Sequence, residues 1–262
     1  MISFDLPKEL IAQEPASPRD HARLLVYNRK TQNITDDYFF NLLNHLPDPT
    51  LVVANNSKVE QCRLLFDGGK RELFIIEAVN NKTVRALVRP GKRFKLGATV
   101  QLTSAVVAKV TAVDSEGIRT VEFSVDRDHP DIIAAQHVPL PPYIAQNDDL
   151  AQEYQTIYAK TLGSKAAPTA GLHFTDELKA KIQSQRDWAE VTLHVNLGTF
   201  AALSEENFKS GTLHKESYSV EPDVMKKIAK AKHVTDVGTT TVRTLESLYA
   251  NQGRSLKGAT NI

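Results

Sequence analysis

The sequence has little cysteine and no long apolar segment. Cys62 is the only cysteine among 262 residues, which excludes an internal disulfide and a thiolate-rich zinc site, and we expect it to be a buried, inert thiol. No segment approaches the roughly 20 apolar residues that span a bilayer. The first residues, MISFDLPKEL, lack the basic and apolar regions of a signal peptide. These absences predict a cytoplasmic protein that makes no contact with a membrane.

Net charge is also nearly absent. The 32 Lys and Arg residues are balanced by 31 Asp and Glu residues, so the net charge is +1 and only a local patch would attract a polyanion. The candidate patch is RPGKRFK, in which Arg89, Lys92, Arg93 and Lys95 surround a Pro-Gly turn. A solvated hairpin loop explains these residues equally well, because Lys and Arg at a turn need no ligand.

The chain begins with an alternation of strand and helix. Apolar runs at residues 23–29 and 50–55 have the character of buried strands. Between them, Tyr38 to Leu46 follow helical spacing, and Pro47 ends the helix. Strand, helix and strand in this order predict an α/β fold.

Near residue 64 the pattern changes to short strands separated by turns. Among these strands, Val121, Phe123 and Val125 alternate with polar residues, as in a strand with one buried face. Strands that follow one another without a helix predict a small antiparallel barrel or sandwich. We expect it to be an inserted domain of residues 64–140, with residues 1–63 and 141–262 forming a larger α/β domain.

Helical spacing returns in the second half. Phe174, Leu178 and Ile182 are spaced by four and Thr175 can cap the helix, which predicts a helix over residues 175–185. The spacing of apolar residues predicts two further helices, around residues 224–231 and 242–249.

Three polar clusters in the second half offer residues for chemistry. They are GSKAAPTAGLHFT (163–175) with Thr169, Gly171 and His173, TLHVNLGTF (192–200) with His194, Asn196 and Thr199, and VGTTTVRTLES (237–247) with Gly238, Thr239, Arg243 and Glu246. Lone histidines are more often structural, and Arg243 and Glu246, three residues apart, are also explained as a helix ion pair. No generic catalytic motif is present. The residues alone therefore indicate an α/β enzyme with a small-molecule site.

Specific motifs follow one another along nearly the whole chain. In order they are FDLPKELIAQEP, RDHARLLV, NNSKV, LVRPGKRFKLG, LPPYI, YQTIYAK, AAPTAGLHFT, TLHVNLGTF, HKESYSV and VGTTTVRTLES. Together they resemble the S-adenosylmethionine:tRNA ribosyltransferase-isomerases of queuosine biosynthesis. The resemblance implies a larger α/β, barrel-like domain that carries an inserted small antiparallel β-barrel. It also implies S-adenosylmethionine as co-substrate, tRNA as partner, and neither a metal nor a bound cofactor.

The implied reaction transfers and isomerises the ribosyl part of S-adenosylmethionine. The acceptor is the aminomethyl group of 7-aminomethyl-7-deazaguanine at the tRNA wobble position, and the products are epoxyqueuosine, adenine and methionine. The reaction needs a base for the proton beside the sulfonium at C5′ and an acid for the departing adenine, and histidine suits both tasks. We therefore predict that His173 and His194 are catalytic.

The other polar residues of the three clusters are predicted substrate contacts. These are Thr169, Gly171, Asn196, Thr199, Gly238, Thr239, Arg243 and Glu246. Arg243 would bind the methionyl carboxylate and Glu246 the methionyl amino group through charge-assisted hydrogen bonds. The patch of Arg89, Lys92, Arg93 and Lys95 would bind tRNA, and we expect a monomer or a weak homo-oligomer.

Two features depart from the family pattern. Asn56 stands where the family usually has an acid, and Glu60-Gln61-Cys62 precede Arg63 where the family usually has an apolar residue, Pro and Ala. The sequence also stops at GATNI, where family members continue. Two hypotheses follow. The first is an active transferase. The second is a truncated or degenerate relative that binds tRNA or S-adenosylmethionine without turnover, or a fragment whose natural chain is longer.

Overall fold

The computed structural model describes residues 4–141, 143–196, 209–213, 215–253 and 255–261. The chain divides into two compact units. The larger unit contains Met1–Val59 and Leu140–Ile262, and the smaller unit is Glu60–Pro139. The fold is therefore a mixed α/β fold in which both units contain sheet.

The strands and α-helices are numbered in chain order. The strands are β1 (Arg23–Asn28), β2 (Asn33–Tyr38), β3 (Leu51–Asn55), β4 (Ser57–Val59), β5 (Arg63–Phe66), β6 (Arg71–Ala78), β7 (Thr83–Arg89), β8 (Thr99–Gln101), β9 (Val107–Val113), β10 (Arg119–Phe123), β11 (Gln136–His137), β12 (Thr161–Ser164), β13 (Asp187–Leu193), β14 (Glu216–Ser219), β15 (Val234–Val237) and β16 (Lys257–Thr260). The α-helices are α1 (Pro130–Ile133), α2 (Asp176–Gln183), α3 (Pro222–Lys230) and α4 (Thr239–Ala250).

A five-stranded sheet forms the centre of the larger unit, in the order β15-β3-β13-β14-β16. Strands β15, β3 and β13 are parallel, and β14 and β16 continue the sheet in antiparallel pairing. The three parallel strands end side by side at Val237, Asn55 and Leu193. Their carboxyl ends therefore meet at one edge of the sheet, where α/β proteins commonly bind ligands.

Two cores cover the two faces of this sheet. On one face, Val52 and Ala54 belong to a cluster with Phe174, Leu178 and Ile182. On the other face, Leu51 and Val53 of the same strand pack in a cluster that includes Val191, Leu193 and Leu248. Neighbouring residues of a strand point to opposite faces, so a run that is apolar throughout fits a strand buried on both sides.

The predicted helix over residues 175–185 is confirmed as α2. Thr175 accepts a hydrogen bond from the backbone N–H of Leu178 at 3.1 Å, and Leu178 and Ile182 are buried. The capping hydroxyl satisfies one of the free N–H groups of the first turn. The two later helices are also confirmed, as α3 and α4.

The smaller unit contains one seven-stranded antiparallel sheet, in the order β11-β5-β6-β7-β10-β9-β8. Its strands alternate buried and exposed residues, and Val121 and Phe123 lie in the core as their spacing predicts. Phe94, from the loop between β7 and β8, is fully buried in the same core. Cys62 is buried there as well, as predicted.

The first 60 residues differ from the sequence prediction. Strand β1 is not buried on both faces, because it pairs only with β2 in a two-stranded sheet and leaves Leu25 and Tyr27 exposed. The segment NITDDY forms β2 although its sequence lacks an apolar run, and its last residue, Tyr38, lies in this strand and not in the predicted helix. The predicted helix after it is a 3-10 helix, Phe39–His45, which buries Phe39 and Leu43.

Candidate active site

The PTAGLHF segment forms a tight turn between the core and α2. Thr169–His173 is a 3-10 helix in which the N–H of Gly171 donates to the carbonyl of Pro168 at 2.8 Å. Phe174 is fully buried, and its ring lies 5.1 Å from the ring of Phe39. The turn is therefore fixed at its end by a core side chain, and it presents the residues before Phe174 in a defined orientation.

Gly171 allows the turn to approach Tyr158 closely. A Cβ atom at residue 171 would overlap Oη of Tyr158 and would lie 3.0 Å from its Cζ and 2.9 Å from Cγ2 of Thr156. Tyr158 is held by edge contacts with the rings of Phe174 and Trp188. The missing side chain of Gly171 thus makes room for Tyr158, while its predicted contact with substrate stays a prediction.

A cavity of about 340 Å³ lies beside this turn, within the larger unit. Thr169, Leu172 and His173 line it on the side of the turn. Its other sides are formed by residues 12–16 with Arg19, by Glu153, and by apolar side chains that include Leu140, Ile144 and Tyr154. A largely apolar cavity with a few polar groups is typical of small-molecule sites.

Two polar side chains join the walls of this cavity. Oε1 of Gln13 accepts a hydrogen bond from the N–H of Ala145 at 2.9 Å, and Nε2 donates to the carbonyl of Tyr143 at 3.1 Å. Arg19 donates to the carbonyls of Gln155 and Gln152 at 2.6 and 3.0 Å. In the sequence, Gln13 and Arg19 stand out only as members of family motifs, because partners 130 or more residues apart leave no local pattern.

His173 lines the cavity and also contacts the aromatic core. Its ring lies 5.2 Å from the ring of Phe39, and partial burial lowers the pKa of its imidazole below the usual 6.5. Desolvation disfavours the charged form of histidine. At neutral pH the imidazole is therefore neutral and can accept a proton, as the predicted base requires.

The buried side chain of Asn55 connects the carboxyl ends of the parallel strands. Its Oδ1 accepts from the N–H of Leu193 at 3.0 Å, and its Nδ2 donates to the carbonyl of Leu193 at 2.9 Å. The same amide lies 3.2 Å from Oγ1 of Thr240, in the first turn of α4. Asn55 thereby holds β3, β13 and α4 together, a role that the sequence did not reveal.

Helix α4 begins at the same edge, close to the PTAGLHF turn. Gly238 precedes the helix with φ of 83°, and a Cβ atom there would lie 3.0 Å from the Cβ of Ala170. Gly238 occupies the N-cap position and has no side chain with which to cap the helix. Gly238 and Thr239 therefore stand beside the predicted catalytic turn, and free N–H groups at a helix N-terminus favour anions.

His194 lies at the carboxyl end of β13. Its backbone N–H donates to the carbonyl of Ser217 at 2.9 Å, and its ring packs against Gly163, where a Cβ atom would lie 2.9 Å from Cε1. Among the described residues that line the 340 Å³ cavity, His173 is present and His194 is not. The structure thus does not bring the two predicted catalytic histidines together in this cavity.

Asn196 and Thr199 are the other two predicted substrate contacts of the second cluster, TLHVNLGTF. The N–H of Asn196 donates to Oε1 of Glu216 at 3.0 Å, which fixes its backbone beside β14. Thr199 lies outside the described residues.

Arg243 and Glu246 do not form the helix ion pair that their spacing suggested. Arg243 pairs with Glu216, whose side chain is almost fully buried, and its Nη2 also lies 3.5 Å from the carbonyl of Thr260. Glu246 is near Asp236 instead, where burial and then the charge of Glu246 raise the pKa of Asp236. The two side chains turn toward different strands of the sheet, so Arg243 finds its partner on β14 rather than along its own helix.

Asn56, the residue that departs from the family pattern, contacts neighbouring side chains through both atoms of its amide group. Its Oδ1 accepts from the hydroxyl of Thr192 at 2.7 Å, and its Nδ2 lies 3.5 Å from Oε2 of Glu190. Lys160 and Lys179 bind the Glu190 carboxylate at 2.6 and 3.2 Å. A carboxylate therefore remains within hydrogen-bonding distance of residue 56.

The basic patch lies in the smaller unit. Lys92, Arg93 and Lys95 are exposed around the buried anchor Phe94, and Arg89 pairs with Glu72 at 3.1 Å. Its loop is not a hairpin loop, because β7 pairs with β6 and β10 whereas β8 pairs with β9. The loop thus joins strands that are not neighbours and presents three cationic side chains to solvent.

The fold and the cavity define an α/β protein with a small-molecule site, and comparisons with known proteins identify its family. A family model described as queuosine biosynthesis protein matches residues 1–262. The S-adenosylmethionine:tRNA ribosyltransferase-isomerase of Clostridioides difficile is 40% identical over 262 residues, which cover 96% of this chain and 77% of the relative. The enzyme of the same name from Carboxydothermus hydrogenoformans is 40% identical over 270 residues, covering 99% and 80%.

A solved structure is also similar. It is the S-adenosylmethionine tRNA ribosyltransferase of Thermotoga maritima, with 31% identity, coverage of 99% of this chain and 76% of that chain, and a TM-score of 0.46. The family match and the sequence identities show that the chain belongs to the queuosine biosynthesis family.

Within the described ranges, no helix combines the length and apolar character needed to cross a bilayer. Likewise, no group of three or more His, Cys, Asp or Glu side chains among those residues is arranged to hold a metal ion.

Proposed function

We propose that this chain transfers and isomerises the ribosyl part of S-adenosylmethionine onto a tRNA base. The acceptor is the aminomethyl group of 7-aminomethyl-7-deazaguanine at the wobble position, and the products are epoxyqueuosine-tRNA, adenine and methionine. Membership of the family supports the reaction. The observation that carries the proposal is the PTAGLHF turn, whose Thr169 and His173 line a cavity of about 340 Å³.

His173 acts as the base that takes the proton beside the sulfonium at C5′. Its lowered pKa keeps the imidazole neutral near pH 7, so its ring nitrogen is available as an acceptor. The sulfonium activates the ribose, so the proposed reaction uses neither a metal nor a bound cofactor.

His194 is the proposed acid that assists the departure of adenine. The predicted substrate contacts Thr169, Gly171, Asn196, Thr199, Gly238, Thr239, Arg243 and Glu246 are kept in the proposal. Arg243 would bind the methionyl carboxylate through its guanidinium while the same guanidinium stays paired with Glu216. The start of α4 supports an anion contact at Gly238 and Thr239, because its N-cap residue, Gly238, has no side chain to bond the first N–H groups.

The tRNA contact is assigned to the loop with Arg89, Lys92, Arg93 and Lys95. Exposed cationic side chains bind phosphate groups without reading the base sequence. We infer that the smaller unit closes as a small antiparallel barrel, which its alternating strands and single core support, and that the larger unit is barrel-like. The proposal also holds that the protein is cytoplasmic and is a monomer or a weak homo-oligomer.

The test is to incubate the purified chain with S-adenosylmethionine and tRNA that carries the 7-aminomethyl-7-deazaguanine base. Mass spectrometry of the digested tRNA and of the small molecules would show epoxyqueuosine and adenine in equal amounts if the proposal is right. A tRNA with guanine at the wobble position is the matched control and should give neither product. If the folded chain forms neither product from the modified tRNA, the transferase proposal fails for this chain.

The second hypothesis, binding without turnover, is favoured by one observation, the replacement of the usual acid by Asn56. Measured affinity for S-adenosylmethionine or for the modified tRNA, in the absence of products, would support it. The carboxylate of Glu190, 3.5 Å from Nδ2 of Asn56, argues for the active enzyme, because it keeps an acid beside that position.

A further inference from the structure

Glu153 lines the cavity beside His173, and one oxygen of its carboxylate is buried. Its side chain lines the 340 Å³ cavity, and Oε2 is buried with no hydrogen-bond partner among the residues that the structure describes. A buried carboxylate oxygen without a donor is unfavourable, and most such groups in native proteins have a partner. An unsatisfied acceptor on a residue that lines a cavity therefore points to a donor that arrives with a ligand.

The backbone around Glu153 is held on both sides. Tyr154 is buried, and Arg19 binds the carbonyls of Gln152 and Gln155. The side chain of Gln155 exchanges two hydrogen bonds with the backbone of Val59, both at 3.0 Å. The carboxylate is thus attached to a fixed segment, as expected for a group preorganised for binding.

The charge of the cavity favours a cation. Glu14 and Glu153 contribute two carboxylates to its lining. Arg19 is the single Lys or Arg side chain among the described residues that line it, and its Nη1 and Nη2 donate to backbone carbonyls. His173 has a lowered pKa and is neutral near pH 7. A positively charged ligand group would therefore offset an excess of negative charge and provide the missing donor.

We propose that Glu153 binds a primary ammonium group of the substrate through Oε2. The inference rests on the proposed function, which supplies two such groups: the methionyl amino group of S-adenosylmethionine and the aminomethyl group of the tRNA base. If the bound group is the methionyl amino group, Glu153 serves it beside the proposed contact Glu246, which is exposed on α4 and is not among the described residues that line the cavity.

The experiment compares the chain with its Glu153→Gln variant, which keeps the shape of the side chain and removes its charge. The matched control is Glu122→Gln, an exposed carboxylate on β10 of the smaller unit. Calorimetry measures the binding of S-adenosylmethionine and of its dimethylsulfonium analogue, which retains the sulfonium and lacks the amino acid. Filter binding measures tRNA with the aminomethyl base and tRNA with guanine at the same position.

A methionyl ammonium at Glu153 predicts that Glu153→Gln weakens binding of S-adenosylmethionine roughly tenfold to a hundredfold, as expected for a charge-assisted hydrogen bond. Binding of the dimethylsulfonium analogue would be unchanged. An aminomethyl group at Glu153 predicts instead that the variant loses the preference for the modified tRNA over the guanine tRNA. Either pattern supports the inference and identifies the source of the amine.

Three other outcomes overturn it, and they are distinguishable. If the original chain turns over both substrates and Glu153→Gln binds them as the original does, the inference fails while the proposed function stands. If the original chain binds neither substrate, the proposed function fails and the inference fails with it. A loss of affinity that the Glu122→Gln control shares also contradicts a specific contact at Glu153.

Discussion

Replacement of Gly171 by alanine tests the packing that fixes the catalytic turn. The added Cβ would overlap Oη of Tyr158 and would lie 3.0 Å from its Cζ and 2.9 Å from Cγ2 of Thr156. Neither neighbour can yield easily, because Tyr158 and Thr156 are buried and Tyr158 contacts the rings of Phe174 and Trp188. We expect Gly171→Ala to destabilise the larger unit and to displace His173.

The magnitude follows from overpacking of a buried site, which costs roughly 1–3 kcal/mol. The value should lie near the upper end, because several atoms must move at once. Tyr158→Phe removes the overlapping oxygen, which is buried and has no hydrogen-bond partner among the described residues. Alone, this substitution should be neutral or slightly stabilising, since it removes an unsatisfied polar group. Combined with Gly171→Ala, it should recover about 1 kcal/mol of the loss.

Urea unfolding of the four chains gives these free energies, and the rate of adenine release gives the effect on His173. Gly91→Ala is the matched control, because its Cβ would meet only the flexible end of Arg119, at 3.2 Å. This control should change the free energy of unfolding by less than about 0.5 kcal/mol. A Gly171→Ala chain as stable and as active as the original would refute the packing of Gly171 against Tyr158.

Three further predictions concern the polar groups of the site. Asn55→Ala should cost roughly 2–4 kcal/mol in urea unfolding, because it leaves the buried N–H and carbonyl of Leu193 without their partner; a cost below 0.5 kcal/mol, within the usual range of surface substitutions, would contradict this. Arg243→Ala should cost about 3–5 kcal/mol because it removes the guanidinium that is paired with the buried Glu216 carboxylate, and Glu216→Gln in the same chain should restore part of the loss. The pH profile of kcat/KM should keep its acid limb below pH 6.5, because the lowered pKa keeps His173 neutral as the pH falls; an acid limb above that value would exclude His173 as the base.

The parts of the fold with local signals could be predicted from the sequence. Helix α2 follows from four-residue spacing and a capping Thr175, both of which act within a few residues. Strand β3 follows from an apolar run that is buried on both faces. Strand β1 shows the limit of the same rule. Its apolar residues resemble those of a buried strand, but β1 pairs with β2 in a two-stranded sheet and one face stays exposed. The sequence of a strand does not show which strands will pair with it.

Much of the candidate site could not be predicted, because its contacts join residues that are far apart in the chain. Asn55 binds Leu193 and Thr240, which are 138 and 185 residues away in the chain. Arg243 was predicted beside Glu246 on its own helix, yet the fold brings it to Glu216, 27 residues earlier. The PTAGLHF turn was found from its composition and its resemblance to the family. The walls of its cavity come from distant segments that only the fold brings together.

The most direct measurement of the central claim is the rate of adenine release by His173→Ala under single-turnover conditions with the modified tRNA. His233→Ala is the matched control, since His233 is exposed and precedes the amino end of β15, at the edge of the sheet opposite the carboxyl ends. A positioned general base contributes roughly 10²–10⁴-fold, so His173→Ala should slow release by at least about a hundredfold while His233→Ala is unchanged. Release at the original rate by a folded His173→Ala chain would contradict the claim that this turn carries the base.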